Sequence, residues 1–471
     1  MADASVGEAV GRLPDVPANP LPYWRRLRAV RHLETGLPLL RAAGGPVTRI
    51  VLAPPWVMPP VVLISSPQGA QDLLARTDSR AERGETSVSH ELSAVLGDNL
   101  LTMSHAEWLP RRRAIQPLFT TRNVPQFARH VAVLAEEFAE RWLTGAGNID
   151  LDRECRALTL RALGLSILGV DLQGRDDIVA SVLRDAVPWA VGRAMRPVNT
   201  PRWWPTRARR RAVAASEGLH RLAADILRTC RDNPDVEAPL VRALMAATDP
   251  DTGSRLSDRA ICDELVLFIV AGHETIATAL TYALYVLGHH PQAQQRVAVE
   301  VAELGARPVT ASDISRLGYT VQVLQEAMRL CPPTAALGRM VMQDIAVDGY
   351  RVQAGTLALV SVIALHHDPD LWPDPLAFNP DRFASATPFA RRRWDYLPFG
   401  AGPRRCLGDH FAMQEATVAL AGILRHVQIR SLRNDFPTTA PLTVIPAASV
   451  PALVRRRAVV SRRVSRSAVT S

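Results

Sequence analysis

Apolar residues recur at three- and four-residue spacing through most of residues 122–290, as in Ala132–Trp142, which predicts a mainly helical body. Residues 21–90 mix arginine-rich helical pattern with β-branched runs such as Pro60-Val-Val-Leu-Ile64. Short β-prone runs return from Asp344 to Leu365 around Gly349 and Gly355, and a last helix is predicted from about Gly408 to His426. No fixed-period repeat, Gly/Ser linker or alternating βαβ series is visible. The pattern therefore predicts a large helical body with small β-sheets.

One segment breaks the amphipathic rule. Ser257 is a good N-cap for a helix reaching about Gly288, which would be about 45 Å long at helical rise. Its centre, Leu265-Val-Leu-Phe-Ile-Val-Ala-Gly272, is apolar all round, the signature of a helix buried inside protein. His273, Glu274 and Thr275 follow directly. An acid and a hydroxyl in mid-core are costly, so both are candidate functional residues.

Composition narrows the chemistry. The chain has 471 residues, 47% hydrophobic and 21% charged, enough for a large core. It contains no lysine, so all 55 basic side chains are arginine. This excludes Schiff-base and PLP enzymes, P-loop NTPases and protein kinases, each of which needs a particular lysine. It also points to a GC-rich, bacterial coding bias. Of the net charge of +9, six arginines (Arg455, Arg456, Arg457, Arg462, Arg463 and Arg466) lie in a final stretch without acids. Residues 451–471 thus read as a basic, disordered tail, and no nucleic-acid partner is expected. Residues 1–20 read as a flexible N-terminus without a signal-peptide h-region. No apolar run reaches the roughly 18 residues of a membrane span, so a cytoplasmic location is expected. The cysteines (Cys155, Cys230, Cys262, Cys331 and Cys406) form no CxxC pair and read as free thiols.

Several tempting motifs fail. His273-Glu274 begins an HExxH zinc motif, but Ala277 stands where the second histidine belongs. Gly400-Ala-Gly402 begins a dinucleotide fingerprint, but Arg405 takes the last glycine's place. His289-His290 and His366-His367 point in different directions as adjacent residues, so surface or capping roles are expected.

Phe399-Gly-Ala-Gly-Pro-Arg-Arg-Cys-Leu-Gly408 does not fail. Its glycines permit a tight loop and close approach of backbone to a flat ligand. Cys406 stands just before a helix and beside arginines, where a thiolate is stabilised and can serve as a soft ligand for iron. A structural cysteine in a Gly-rich turn is the alternative on these residues alone. With the rest of the chain, the segment resembles the cytochrome P-450 superfamily of haem-thiolate monooxygenases, soluble bacterial type. Phe399, Gly402, Arg404, Cys406 and Gly408 match the family's FxxGxRxCxG loop. Glu326-Ala-Met-Arg329 is similar to its ExxR helix, and Phe378-Asn-Pro-Asp-Arg-Phe383 to its FxPxRF segment. Ala271-Gly-His-Glu-Thr275 is similar to its oxygen-binding helix, and Trp108-Leu-Pro-Arg-Arg112 to its WxxxR helix. The five stand in family order, and the resemblance extends over roughly residues 21–450.

The resemblance implies a single mainly α domain with small β-sheets over 21–450, holding haem between the long central helix and the cysteine-loop helix. It implies that Cys406 is the metal ligand, with Phe399 packed beside it, and that Trp108, Arg112, Arg339 and Arg404 hold the propionates of haem b. Glu326, Arg329 and Arg382 would form a buried ion-pair network beneath it. Gly272 would leave room for dioxygen, and Glu274 and Thr275 would organise proton delivery, although Ile276 stands where the family often has a second Thr or Ser. Phe268, Ala271, Ala335, Ala336 and Leu337 would line a hydrophobic substrate pocket. The family's mobile lid maps to residues 187–211, where Trp203-Trp204 could face lipid or simply pack in a solvated loop. Electrons from NAD(P)H would arrive through a ferredoxin reductase and an acidic ferredoxin, docking near Arg111, Arg113, Arg405 and Arg391–Arg393. The implied protein is a monomer hydroxylating or epoxidising a lipid, terpenoid, steroid or polyketide-like molecule. Peroxide-using or isomerising haem-thiolate chemistry, and a non-catalytic haem-binding protein, are the alternatives.

Overall fold

Ser257 does cap the long helix: its Oγ accepts the Ala260 N–H at 3.2 Å, and the core helix runs Asp258–His289. The computed structural model describes residues 10–145, 147–196, 198–248, 253–384 and 393–458. Helices surround the core helix on most sides, as its all-round apolar centre requires. A brace helix, Leu151–Leu163, lies along it, and the lid helix Arg207–Asp232 and the cysteine helix Asp409–His426 also pack on it. The main apolar core lies among these helices.

The β-sheets are small. β1 (Val47–Ile50), β2 (Val61–Ile64), β3 (Ala81–Glu82), β4 (Ala336–Val341) and β5 (Leu357–Ser361) form one sheet in the order β1-β2-β5-β4-β3. β2 reads Val-Val-Leu-Ile without alternation because all four residues are buried. β4 brings Leu337 and Arg339, two residues apart, to the same face of the sheet. The fold is mainly α with small sheets.

Two terminal expectations need correction. Residues 10–20 are not a loose arm: Val10 and Val16 are buried, and the Asn19 side chain donates to the Leu40 carbonyl at 2.8 Å. Pro451–Arg456, expected in a disordered tail, is the middle strand of a three-stranded sheet between Asn148–Asp150 and Val427–Ser431. Its alternating Ala452 and Val454 are buried, while Arg455 and Arg456 beside them are exposed. Residues 459–471 lie outside the described residues.

The lid is tied down by polar contacts. Val187–Ala194 and Arg207–Asp232 join through residues 195–206, and the roof helix Ser87–Leu96 packs against both. Glu91 of the roof helix pairs with Arg193 at 2.9 Å and Arg202 at 3.4 Å. The Ser216 hydroxyl donates to the Val95 carbonyl at 2.6 Å. His220 Nε2 lies 3.3 Å from buried Asp263 of the core helix. That contact holds the His220 pKa above its ordinary 6.5. A raised histidine contributes stability that is full below pH 6.5 and fades as pH rises through the folded value. The thermal midpoint of His220→Gln should therefore trail the parent's at pH 6 and converge on it in alkaline buffer.

Candidate active site

Between Asp263 and Thr281 the core helix is buried except at Phe268, Ala271, Gly272 and Thr275. Spacings of three, one and three put these residues on one face. The face is therefore open in an otherwise sealed helix. The Thr275 hydroxyl donates to the Ala271 carbonyl at 3.1 Å, which leaves its oxygen lone pairs free to accept a proton donor. Phe268 stacks on Phe119 with ring centroids 5.6 Å apart.

Glu274 takes a different direction from Thr275. It is fully buried and ion-paired with Arg156 of the brace helix, which also bonds Asp152 at 2.8 Å. Burial pushes the Glu274 carboxyl up, and Arg156 opposes the shift. Among the described residues Glu274 Oε1 has no hydrogen-bond partner. The acid–alcohol pair expected from adjacent residues is thus split between the open face and the helix interface. Gly272 also has a packing role: a Cβ there would come within 2.8 Å of Leu163. The glycine lets the brace helix approach, a role additional to the room for dioxygen that the resemblance implies.

The cysteine loop ends beside Phe119, the ring that stacks on Phe268: a Cβ on Gly408 would lie 4.0 Å from it. The Cys406 N–H donates to the Phe399 carbonyl at 2.9 Å, and Gly400 and Gly402 adopt φ of +67° and +71°. A Cβ on Gly402 would land 1.7 Å from the Leu74 carbonyl oxygen, so this glycine serves a backbone crossing more than approach to a flat ligand. Of the five free cysteines, only Cys406 has an exposed side chain. Surrounding protein atoms desolvate the sulfur and push the thiol up; the Gly408 N–H, Arg112 and Arg405 oppose this.

Beside the loop lies an unbalanced cluster of cations. Arg404 stacks over buried Trp108 at 4.2 Å and Arg112 over the same ring at 5.4 Å. Arg112 also donates to the Arg405 carbonyl at 2.8 Å, and Arg404 to that of Met103 at 3.1 Å. Arg339 is only 6% exposed. Burial, then repulsion from Arg83 and Arg404, depresses Arg339 to about 9. Burial likewise lowers Arg83 and Arg404 to about 10. Arginine stays charged at neutral pH regardless, so these shifts measure an electrostatic cost. The nearby carboxylate, Glu82, is itself pushed up by burial and lies 4.0 Å from Arg404. Among the described residues Arg404 Nη1 has no partner.

Arg83 was missed by the sequence reading. It follows β3, which pairs with the end of the strand that carries Arg339, more than 250 residues away. No local pattern announces that pairing.

Beneath the loop, Glu326 and Arg329 are 0% exposed and paired through two bonds of 2.7 and 2.9 Å. Arg329 also donates to the carbonyls of His366 at 2.8 Å and Pro375 at 2.6 Å. Arg382 Nε reaches Glu326 at 3.3 Å. His366, expected at a surface or cap, is buried, and its Nε2 accepts the Leu397 N–H at 2.8 Å, just before the cysteine loop. His289 fits the expectation, bonding the Arg433 carbonyl at 2.8 Å from the end of its helix.

Other expectations shift. Ala335 is buried among Leu37, Leu40 and Leu63, so it is core and not pocket lining. Ala336 and Leu337 are half-buried, and Leu337 packs toward Gly400. Arg111, expected on a docking surface, instead pairs with fully buried Glu264 at 3.1 Å. Burial raises the Glu264 carboxyl to about 7. Arg113 and Arg405 are exposed, with Arg405 paired to Asp409 at 2.5 Å. Arg393 is exposed and lies over Trp394, while Arg391 and Arg392 fall outside the described residues.

The family model for cytochrome P450 matches residues 36–450. This chain is a cytochrome P450. Its relatives include cyclooctatin synthase of Streptomyces melanosporofaciens, 33% identical over 82% of this chain and 86% of that one. Cyclooctat-9-en-7-ol 5-monooxygenase of the same organism is 32% identical over 71% of this chain and 73% of its own length. The crystal structure of the cytochrome P450DA heme domain superposes with a TM-score of 0.82 at 24% identity, covering 95% of this chain and 99% of that one. At that identity the likeness shows the fold. Membership makes this P450 a haem-dependent monooxygenase. Its residues fit that group: a cysteine exposed on a glycine loop, a cluster of buried and half-buried arginines short of carboxylates, and an orphaned guanidinium nitrogen suit a thiolate-bound iron with acidic side arms.

Proposed function

We propose that this P450 hydroxylates or epoxidises a hydrophobic, ring-containing small molecule of the lipid, terpenoid, steroid or polyketide-like class. In the net reaction one oxygen atom of O2 enters the substrate and the other leaves as water. NAD(P)H supplies two electrons through a reductase and ferredoxin. The observation that carries the reading is the open face of Phe268, Ala271 and Thr275 on a core-helix stretch (263–281) otherwise buried, in a chain whose glycine loop also exposes Cys406. The two Streptomyces relatives support a cyclic substrate, since the name of one specifies monooxygenation of cyclooctat-9-en-7-ol.

Haem b, held through Cys406, supplies activation of dioxygen and its insertion into the substrate. Trp108, Arg112, Arg339 and Arg404, with Arg83 added, hold its carboxylates by charge-assisted hydrogen bonds. The Gly408 N–H and the arginines nearby stabilise the thiolate form of Cys406. Thr275 holds a proton donor on the open face through its oxygen lone pairs. Glu274, anchored by Arg156, is a proton reservoir behind that face. Phe268 and Leu337 present apolar surface to the substrate and exclude water from it. An acidic ferredoxin would meet Arg113 and Arg405 in the cytoplasm.

Thr275→Ala should preserve haem binding and lower the yield of product per NAD(P)H oxidised on the order of tenfold, with the balance recovered as hydrogen peroxide. A yield equal to the parent's would remove Thr275 from proton delivery. The substrate class is tested by optical titration of the haem-loaded enzyme with a panel of cyclic terpenoids, steroids and fatty acids. A low-to-high-spin shift with cyclic molecules is expected. A shift with linear fatty acids alone would contradict the proposal.

A further inference from the structure

A cavity of about 320 Å³ lies among the first turns of Ala128–Thr144 and Pro239–Ala246 and the π-helical turn Gly164–Leu168. Its size is that of a small ligand pocket, and none of its lining residues belongs to the active site described above. Two helices start at it, and their positive dipole ends favour an anion. A π turn is uncommon and recurs at functional sites.

The walls carry both apolar and cationic groups. Phe127, Val236, Ala238 and Pro239 supply apolar surface. Ser166 is buried there, and its hydroxyl makes only a long bond, 3.4 Å, to the Phe127 carbonyl among the described residues. Among the same residues Arg242 is hydrogen-bonded only to the carbonyls of Asn233 and Pro234, at 2.9 Å each. Arg129 and Glu237, both exposed, pair with each other at the cavity, a contact worth little in water. Burial, then Arg129, holds His130 below its ordinary 6.5, so it adds no charge at neutral pH. Two guanidinium groups against one carboxylate leave one positive charge unbalanced.

The cavity also touches two supports of the substrate face. Phe127 meets Phe411 of the cysteine helix at 5.8 Å, Phe411 meets Phe119 at 6.3 Å, and Phe119 stacks on Phe268 at 5.6 Å. On the other wall, the π turn continues the brace helix, whose Leu163 presses on Gly272. Close-packed side chains transmit a displacement instead of absorbing it.

We infer that this cavity is an effector site for a small organic monocarboxylate with an apolar body, whose binding changes the affinity of the substrate face. The carboxylate meets Arg242 and the unbalanced charge, and the body lies against Val236 and Phe127. The effector role rests on the substrate face proposed above; occupancy of the cavity does not.

The probe is 2-naphthoate, titrated calorimetrically into full-length, haem-loaded enzyme saturated with a haem-binding azole, which keeps the substrate pocket filled. One equivalent should bind, and 2-naphthamide, its neutral counterpart, should bind much more weakly. Arg242→Gln should weaken binding roughly 10- to 100-fold, the loss of one charge-assisted bond. Val236→Trp should fill the cavity and abolish binding. Saturating naphthoate should change the azole affinity, read from the haem spectrum, by about fivefold or more and then level off. The azole should change naphthoate affinity by the same factor. No binding, equal binding of the amide, or unchanged affinity in both variants would overturn the site. Binding without a change in azole affinity would overturn the effector role. So would an effect that grows without limit, which means competition for the substrate pocket.

Discussion

Arg329→Leu should leave a protein that does not keep its fold. Arg329 and Glu326 are sealed from solvent, and the guanidinium meets the carboxylate through two bonds and two carbonyls through others. Leucine would strand Glu326 in the core with only the longer contact from Arg382 and the Asn379 N–H at 3.0 Å. Removing one partner of such a pair costs about 3–5 kcal/mol, against a total stability of about 5–15 kcal/mol. The expected readout is a large drop in denaturation midpoint, or loss of soluble haem-loaded protein. The surface pair of Arg296 and Asp381, 2.7 Å apart, is the control. Arg296→Leu should shift stability by only about 1 kcal/mol, since water screens exposed charges. Equal effects would mean that burial of the first pair has no energetic weight.

Arg339→Met should act in opposite directions on the haem-free and haem-loaded protein. At neutral pH Arg339 is a charge forced into a poorly solvating site beside Arg83 and Arg404. A base whose folded-state pKa is lowered destabilises the fold at any pH below that value. Replacement by an apolar side chain of similar length should thus stabilise haem-free protein by about 1–4 kcal/mol. In its proposed role Arg339 would also make a charge-assisted bond to a haem carboxylate, which the same change would remove. Haem affinity should fall roughly 10- to 100-fold, the equivalent of about 1.5–3 kcal/mol. Thermal melts of the haem-free protein and haem transfer to apomyoglobin measure the two effects. A loss of stability in the haem-free protein would show that Arg339 balances the local charge and is not held there for haem.

The sequence was most legible where chemistry is carried by local pattern. Cys406 in its glycine loop, the cap at Ser257 and the Glu326–Arg329 spacing all lie within a few residues of their own context. Errors arose where long-range packing sets the role of a residue. The packing role of Gly272, letting Leu163 approach, is invisible in the sequence. Arg111 reads as a surface cation until Glu264 is found buried across from it. Arg83 joins the site only because β3 pairs with β4. Pro451–Arg456 looked like tail because its arginines hid a short strand alternation. In each case the partner lies far away in sequence, where periodicity carries no information.

The central proposal is that Cys406 would ligate haem iron as a thiolate, and that Thr275 on the open face of the core helix would organise proton delivery. The most direct measurement is a carbon-monoxide difference spectrum of the reduced, haem-loaded protein, taken alongside Cys406→Ser. The parent should show the red-shifted band of a thiolate-ligated haem, and the variant should bind haem without it. A folded, haem-loaded parent lacking that band, or a Cys406→Ser protein retaining it, would contradict the account.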